Sequence, residues 1–102
     1  MDSNKTIQVL LMEFDFKIHL KGFKYLIDSI KLYDEEKEIT LQEVYTQIGK
    51  KYKTTNTAID RNLRTVISQS KLKGNSCKEV IVYLQFIIDS KINRRCLWKH
   101  LK

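Results

Sequence analysis

Apolar residues recur at helical spacing along nearly the whole chain, and the breaks in that rhythm divide it into segments. Ile7, Leu10, Leu11 and Phe14 follow i, i+3, i+4, i+7 and predict a first amphipathic helix behind a polar, frayed lead-in at Met1 to Lys5. Asp15 to Ile18 interrupts the pattern. Leu20, Phe23, Leu26, Ile27 and Ile30 predict a second helix, with His19 at its start as a cap or backbone partner. Lys21, Lys24 and Lys31 lie off that apolar stripe, as a solvated face that can also touch phosphate. Gly22 inside the segment costs about 1 kcal/mol relative to Ala, so another element is expected to pack closely there. Asp34 to Glu38 reads as an acidic, solvated connection without calcium-loop spacing. Thr40 and Glu43 form a capping box that starts a third helix at Leu41. Its buried face is Leu41, Val44, Tyr45, Ile48 and Tyr52, and Gly49 lets the following helix cross near its end.

The stretch Thr54 to Gly74 carries two stripes. Ile59, Leu63, Val66 and Ile67 form one face; Thr57, Asp60, Arg61, Arg64, Ser68 and Lys71 form another. Long cations beside short hydrogen-bonding groups suit phosphates and base edges in a DNA major groove. Only Thr54 and Thr55 separate this pattern from the helix over Leu41 to Lys53, which is the helix-turn-helix arrangement. A solvated charge face on an ordinary surface helix would show the same periodicity. Thr54 or Thr55 caps the helix, with Thr57 and Asp60 as a second choice, and Gly74 with Asn75 is a stop signal. Beyond Ser76, Val80, Tyr83, Leu84, Ile87 and Ile88 fit a helix, while Val80, Val82, Leu84, Phe86 and Ile88 fit a strand. No second strand is present to pair with it, so a helix is expected. Leu97, Trp98 and Leu101 predict a short last helix after Asn93, in a tail made basic by Arg94, Arg95, Lys99 and Lys102.

The count is about six helices, an all-α small helical bundle containing a helix-turn-helix, with residues 1–102 as one domain. Composition agrees: 102 residues, 42% hydrophobic, no Pro and 3 Gly leave little room for a sandwich or barrel. A net charge of +7 raises the odds of an anionic partner. Cys77 and Cys96 are too few for a disulfide scaffold or zinc site and read as core filling in a reducing cytoplasm. No apolar run reaches membrane-spanning length. There is no Gly-rich phosphate loop, no metal-type spacing around His19 or His100, and no nucleophile–base motif. The chain is therefore not read as an enzyme, and no cofactor or metal is expected.

One set of residues is more specific. His19-Leu20-Lys21-Gly22-Phe23 with Tyr25-Leu26 is followed by Ile48-Gly49-Lys50-Lys51-Tyr52 with Thr54-Thr55. Asp60-Arg61, Leu63-Arg64 and Gly74-Asn75 complete it. In this order the chain resembles the C-terminal effector domain of the stage-zero sporulation response regulator A family, the transcription factor that starts endospore formation. The resemblance is strongest over residues 7–75. It implies a six-helix bundle with a helix-turn-helix that binds short promoter elements in double-stranded DNA, often as a homodimer on tandem sites, to activate or repress transcription. RNA polymerase is an implied partner, and the bacterial nucleoid within the cytoplasm the implied location. The family's base- and phosphate-contacting positions in the recognition helix match Asp60, Arg61 and Arg64. This chain has Ala58 where the family often has another Arg, and the shorter Asp60 where it has Glu.

The functional expectation is a sequence-specific DNA-binding transcriptional regulator. Asp60, Arg61 and Arg64 face bases; Lys50, Lys51, Lys53, Thr54, Thr55, Asn56, Thr57, Ser68 and Lys71 face the DNA backbone. The receiver domain of the family's usual members has no room here, so the chain is either an excised domain or a stand-alone protein, and the opening Met1 favours the second. The alternative is a protein-interaction module that sequesters or modulates a full-length regulator. Non-specific RNA binding is disfavoured, because the aromatics fall on apolar faces rather than between cations.

Overall fold

A computed structural model describes residues 3–36 and 38–101, with side chains over 5–36 and 38–90. It contains α1 (Ser3–Glu13), α2 (Lys21–Glu35), α3 (Leu41–Tyr52), α4 (Asn56–Ser68) and α5 (Cys77–Leu101), and no strand among the described residues. The all-helical class holds, with five helices among the described residues in place of about six. The two last helices expected from the sequence are one, because the backbone runs through Asn93 without a break. Expectations for the side chains of Arg94, Arg95, Cys96, Leu97, Trp98, Lys99, His100, Leu101 and Lys102 lie outside the described residues, as do those for Met1 and Asp2. Helix α1 already takes in Ser3 to Lys5, where the sequence suggests fraying.

α2 packs against all four other helices, and α4, which carries the expected polar stripe, lies against three of them. Ile59, Leu63, Val66 and Ile67 are all buried, against α2, α3 and α5. Burying such a side chain is worth about 1.5–3 kcal/mol, while an exposed ion pair along a helix is worth about 0.2–0.5 kcal/mol. The apolar stripe, and not the charges, therefore decides which face of α4 turns outward. Leu26, Ile30, Val44, Ile48, Ile81 and Leu84 complete the core from the neighbouring helices. On α5 the buried face is Val80, Ile81, Leu84 and Ile88, whereas Val82, Tyr83 and Phe86 are exposed. The helical pattern puts Tyr83 inside; its ring instead meets half-buried Phe14 edge-on, 6.1 Å between centroids.

Two close approaches set the crossing of α4. A Cβ on Gly22 would fall on the Asn62 carbonyl, and one on Gly49 would lie 2.8 Å from the Thr54 carbonyl oxygen. Both glycines are where helical propensity alone disfavours them, and both are explained by the backbone that passes over them.

The helix ends follow local chemistry. Asp15 takes a left-handed conformation, φ 64°, and turns Phe16 back into the core. α2 has Leu20 at its N-cap with no side-chain cap, and His19 is exposed beside it. Its last turn includes Asp34 and Glu35, which the charge pattern assigns to a loop. Thr40 Oγ accepts from the Glu43 N–H at 3.2 Å and donates to the Glu43 carboxylate at 3.0 Å. α4 stops at Ser68, six residues short of Gly74. The Ile67 carbonyl accepts both the Ser70 N–H at 3.0 Å and the Ser70 hydroxyl at 2.7 Å, and Ser70 Oγ in turn accepts from the Leu72 N–H at 3.1 Å, so a tight turn with a side-chain bond takes over from the helical ladder. Lys71 consequently lies in the connection, its N–H bonded to the Phe14 carbonyl at 2.9 Å. α5 opens on a reciprocal capping box: Ser76 Oγ accepts from the Glu79 N–H at 3.2 Å, and the Glu79 carboxylate accepts from the Ser76 N–H at 3.0 Å. The Ser76 N–H, and then the Ser76 side chain, hold the Glu79 carboxyl below its ordinary pKa.

Candidate nucleic-acid interface

With its apolar stripe buried, α4 presents one open face to solvent, lined by Thr57, Asp60, Arg61, Arg64, Thr65 and Ser68. The expected polar stripe is therefore a contiguous surface, except for Lys71, which left the helix with the early stop at Ser68. Arg61 is exposed and makes no side-chain hydrogen bond or ion pair within the described residues. Arg64 is 75% exposed and forms an ion pair through Nε with Asp60 Oδ2 at 2.8 Å, one helical turn back. The contact uses the guanidinium nitrogen nearest the backbone, so the terminal nitrogens remain donors at the outer end of the side chain.

Asp60 is half-buried, and each of its oxygens has a partner. Its Oδ1 accepts from the Tyr45 hydroxyl of α3 at 2.8 Å and from the Cys77 thiol of α5 at 3.9 Å. One carboxylate thus joins three helices beneath the outward face. Burial, and then the Asp60 and Cys77 neighbours, push the Tyr45 hydroxyl far above its ordinary pKa. It stays a hydrogen-bond donor throughout the physiological range. Burial also raises the Cys77 thiol, which keeps it protonated and unreactive.

The approach to this face is built by the α3–α4 connection, Lys53 to Thr55. Lys53 adopts the left-handed conformation, φ 55° and ψ 51°, and the Thr54 N–H then reaches the Gly49 carbonyl at 2.9 Å. Thr55 caps α4 by accepting from the Ala58 N–H at 3.1 Å, which settles the choice among candidate caps. Asn56 Nδ2 donates to Gln42 Oε1 at 3.1 Å and to Thr46 Oγ at 3.3 Å, a polar clasp across the start of the two helices. Lys50, Lys53, Thr55 and Thr57 are exposed around this connection, while Thr54 and Asn56 are half-buried. Ser68 is exposed at the far end of α4, its hydroxyl donated to the Thr65 carbonyl at 2.7 Å.

Lys51 is different from its neighbours. Its ammonium sits 3.2 Å from both Asp28 oxygens and 5.2 Å from the centre of the Tyr52 ring. The Asp28 bond raises its pKa. Tyr52 also donates to Asp28, at 2.6 Å, and the Lys24 ammonium lies 5.5 Å from the centre of the same ring.

Several participants do not stand out in the sequence. Thr65 lies on the open face, and Gln42, Thr46 and Asp28 hold neighbouring groups in place. Thr65 has a signal, because it stands four residues from Arg61 and one from Arg64. Tyr45 reads as a core residue of α3, which is where its ring lies; nothing in the local pattern pairs its hydroxyl with Asp60, fifteen positions away.

Among the described residues no group of His, Cys, Asp and Glu is placed to hold a metal ion, and no helix is long and apolar enough to cross a membrane. No solved structure matches the chain. The profile of the family described as sporulation initiation factor Spo0A, C-terminal, matches residues 7–96, from the first turns of α1 into α5. A match over that much of the sequence, with α3, its short connection and α4 all inside it, means that the chain belongs to the Spo0A C-terminal family.

Proposed function

We propose that this protein is a transcriptional regulator that binds double-stranded DNA sequence-specifically, with α3 and α4 acting as a helix-turn-helix. α4 enters the major groove by the end that opens at Asn56, and α3 crosses the backbone behind it. Arg61 and Arg64 contact base edges, guanine being the best match for a guanidinium. Asp60, with both oxygens already engaged inside the protein, orients Arg64 and is not the primary reader. Lys50, Lys51, Lys53, Thr54, Thr55, Asn56, Thr57 and Ser68 position the domain on phosphates, and Lys71 does so from the connection after α4. The observation that carries this reading is the open face of α4. It sets two arginines outward on a helix whose opposite face is locked into the core.

Family membership supports DNA as the partner, as does the net charge of +7. On a promoter element, a homodimer on tandem sites and a contact to RNA polymerase are part of the same proposal. Selecting duplexes from a random pool with the purified protein tests it. Enrichment of one short motif is the expected result; a pool that remains random after several rounds contradicts it.

A further inference from the structure

We infer that Tyr45 is a specificity-setting positioning residue for the α4 face: its hydroxyl fixes the Asp60 carboxylate, which in turn fixes the guanidinium of Arg64. The inference rests on the DNA-binding reading above and deepens it. Tyr45 is buried, and its ring is held by the core of α3, so the hydroxyl has a fixed position. From there it donates to Asp60 Oδ1 at 2.8 Å, while Asp60 Oδ2 forms an ion pair with Arg64 Nε at 2.8 Å. Oδ1 faces the Tyr45 hydroxyl and, at the longer distance of 3.9 Å, the Cys77 thiol, while Oδ2 faces Arg64, so the carboxylate cannot rotate without losing a contact at one end. An exposed Arg–Asp pair on a helix is by itself weak and mobile. Here one partner is tethered to a buried donor, and the mobility of the pair is reduced to that of the arginine's outer end.

A bidentate contact to a base requires a planar donor pair in one orientation, and any spread of orientations reduces the preference for the right base over the wrong one. Arg61 lacks such a tether within the described residues. The two arginines therefore differ: Arg64 is aimed by the protein, and Arg61 is ordered only on binding. Loss of the Tyr45 hydroxyl should act at the base pair read by Arg64 and leave the one read by Arg61 alone.

The test compares the parent, Tyr45→Phe, Asp60→Asn and Arg64→Ala. Binding is measured on the selected duplex and on its complete set of single-base-pair variants. The Arg64 Nε–H resonance of the free protein is followed by NMR, and the thermal midpoint of each variant is recorded. Phe keeps the ring and its packing. We expect Tyr45→Phe to shift the Arg64 Nε–H resonance. It should also lower discrimination roughly two- to tenfold, the scale of one hydrogen bond, at the base pair whose preference Arg64→Ala abolishes. Asp60→Asn should also lower discrimination at that base pair, and the salt dependence of binding should not change in Tyr45→Phe, which alters no charge. If the resonance stays in place, or discrimination at that pair is unchanged, the inference is overturned. An even loss on all duplexes that follows the fall in thermal midpoint also overturns it, since that is the mark of a purely structural hydroxyl. If the parent prefers no duplex, the DNA-binding reading fails and the specificity role fails with it. The NMR comparison then still shows whether the Tyr45–Asp60–Arg64 linkage exists.

Discussion

Gly22 of α2 faces the backbone of Asn62 in α4 so closely that a Cβ at residue 22 would fall on the Asn62 carbonyl oxygen and 2.9 Å from Val66 Cγ1. This approach is what seats α4 with its apolar stripe inward and its arginines outward.

Gly22→Ala should therefore destabilise the protein although Ala is the better helix former. Overpacking of this kind costs about 1–3 kcal/mol, and the propensity gain offsets at most about 1 kcal/mol. A net loss of roughly 1–2 kcal/mol, read by urea denaturation, is the expected outcome. A neutral or stabilising Ala would mean that the two helices do not meet at residue 22.

The cap of α4 makes a second prediction. Thr55 Oγ is the acceptor for the Ala58 N–H, so Thr55→Ala should cost about 1 kcal/mol and Thr55→Ser nearly nothing. Equal losses for Ala and Ser would show that the methyl group, and not the hydroxyl, matters there.

Much of this arrangement is legible in the chain itself. The stripe Ile59, Leu63, Val66 and Ile67 fixes the buried face of α4, Thr40 with Glu43 fixes the start of α3, and Gly22 and Gly49 announce close neighbours. What is not legible has specific causes. α4 ends at Ser68 because the Ser70 N–H and hydroxyl both bond the Ile67 carbonyl in a tight turn, and the more prominent Gly74 signal lies beyond that point. The Ser76-x-x-Glu79 capping box marks the start of α5 and is a readable signal where helix and strand periodicities are ambiguous. The bond from Tyr45 to Asp60 depends on how two helices cross, and no local pattern encodes it.

Alkaline pH should weaken the fold. Burial raises the Cys77 thiol from its ordinary 9.0, and Tyr33, Tyr45 and Tyr52 from 10.0; the Asp28 bond raises Lys51 from 10.5. The folded state thus binds protons more tightly than the unfolded chain at these groups. Their stabilisation is complete below the ordinary values and is lost as pH climbs from there through the raised ones. Denaturant midpoints measured from about pH 7 to about pH 11 should hold level and then fall. The fall should be shallower in Tyr45→Phe. A profile that is flat to the alkaline limit contradicts the burial of these hydroxyls.

Phosphate and base contacts should separate in their response to salt. Lys50→Ala or Lys53→Ala should weaken binding to all duplexes alike and reduce the slope of log K against log salt by about 0.9 for each phosphate no longer neutralised. Asp28→Asn should act in the opposite sense, because it releases the Lys51 ammonium now held at 3.2 Å. Tighter binding to every duplex, without a change in preferred sequence, is the expected result; unchanged binding would show that Lys51 does not face DNA.

The most direct measurement is the affinity of Arg61→Ala and Arg64→Ala for the selected duplex and its single-base-pair variants at one fixed salt concentration. Each variant should lose about 1–3 kcal/mol of discrimination at its own base pair while binding to unrelated duplexes changes little. If both bind the selected duplex with the parent's affinity and the parent's preferences, the outward face of α4 does not read DNA.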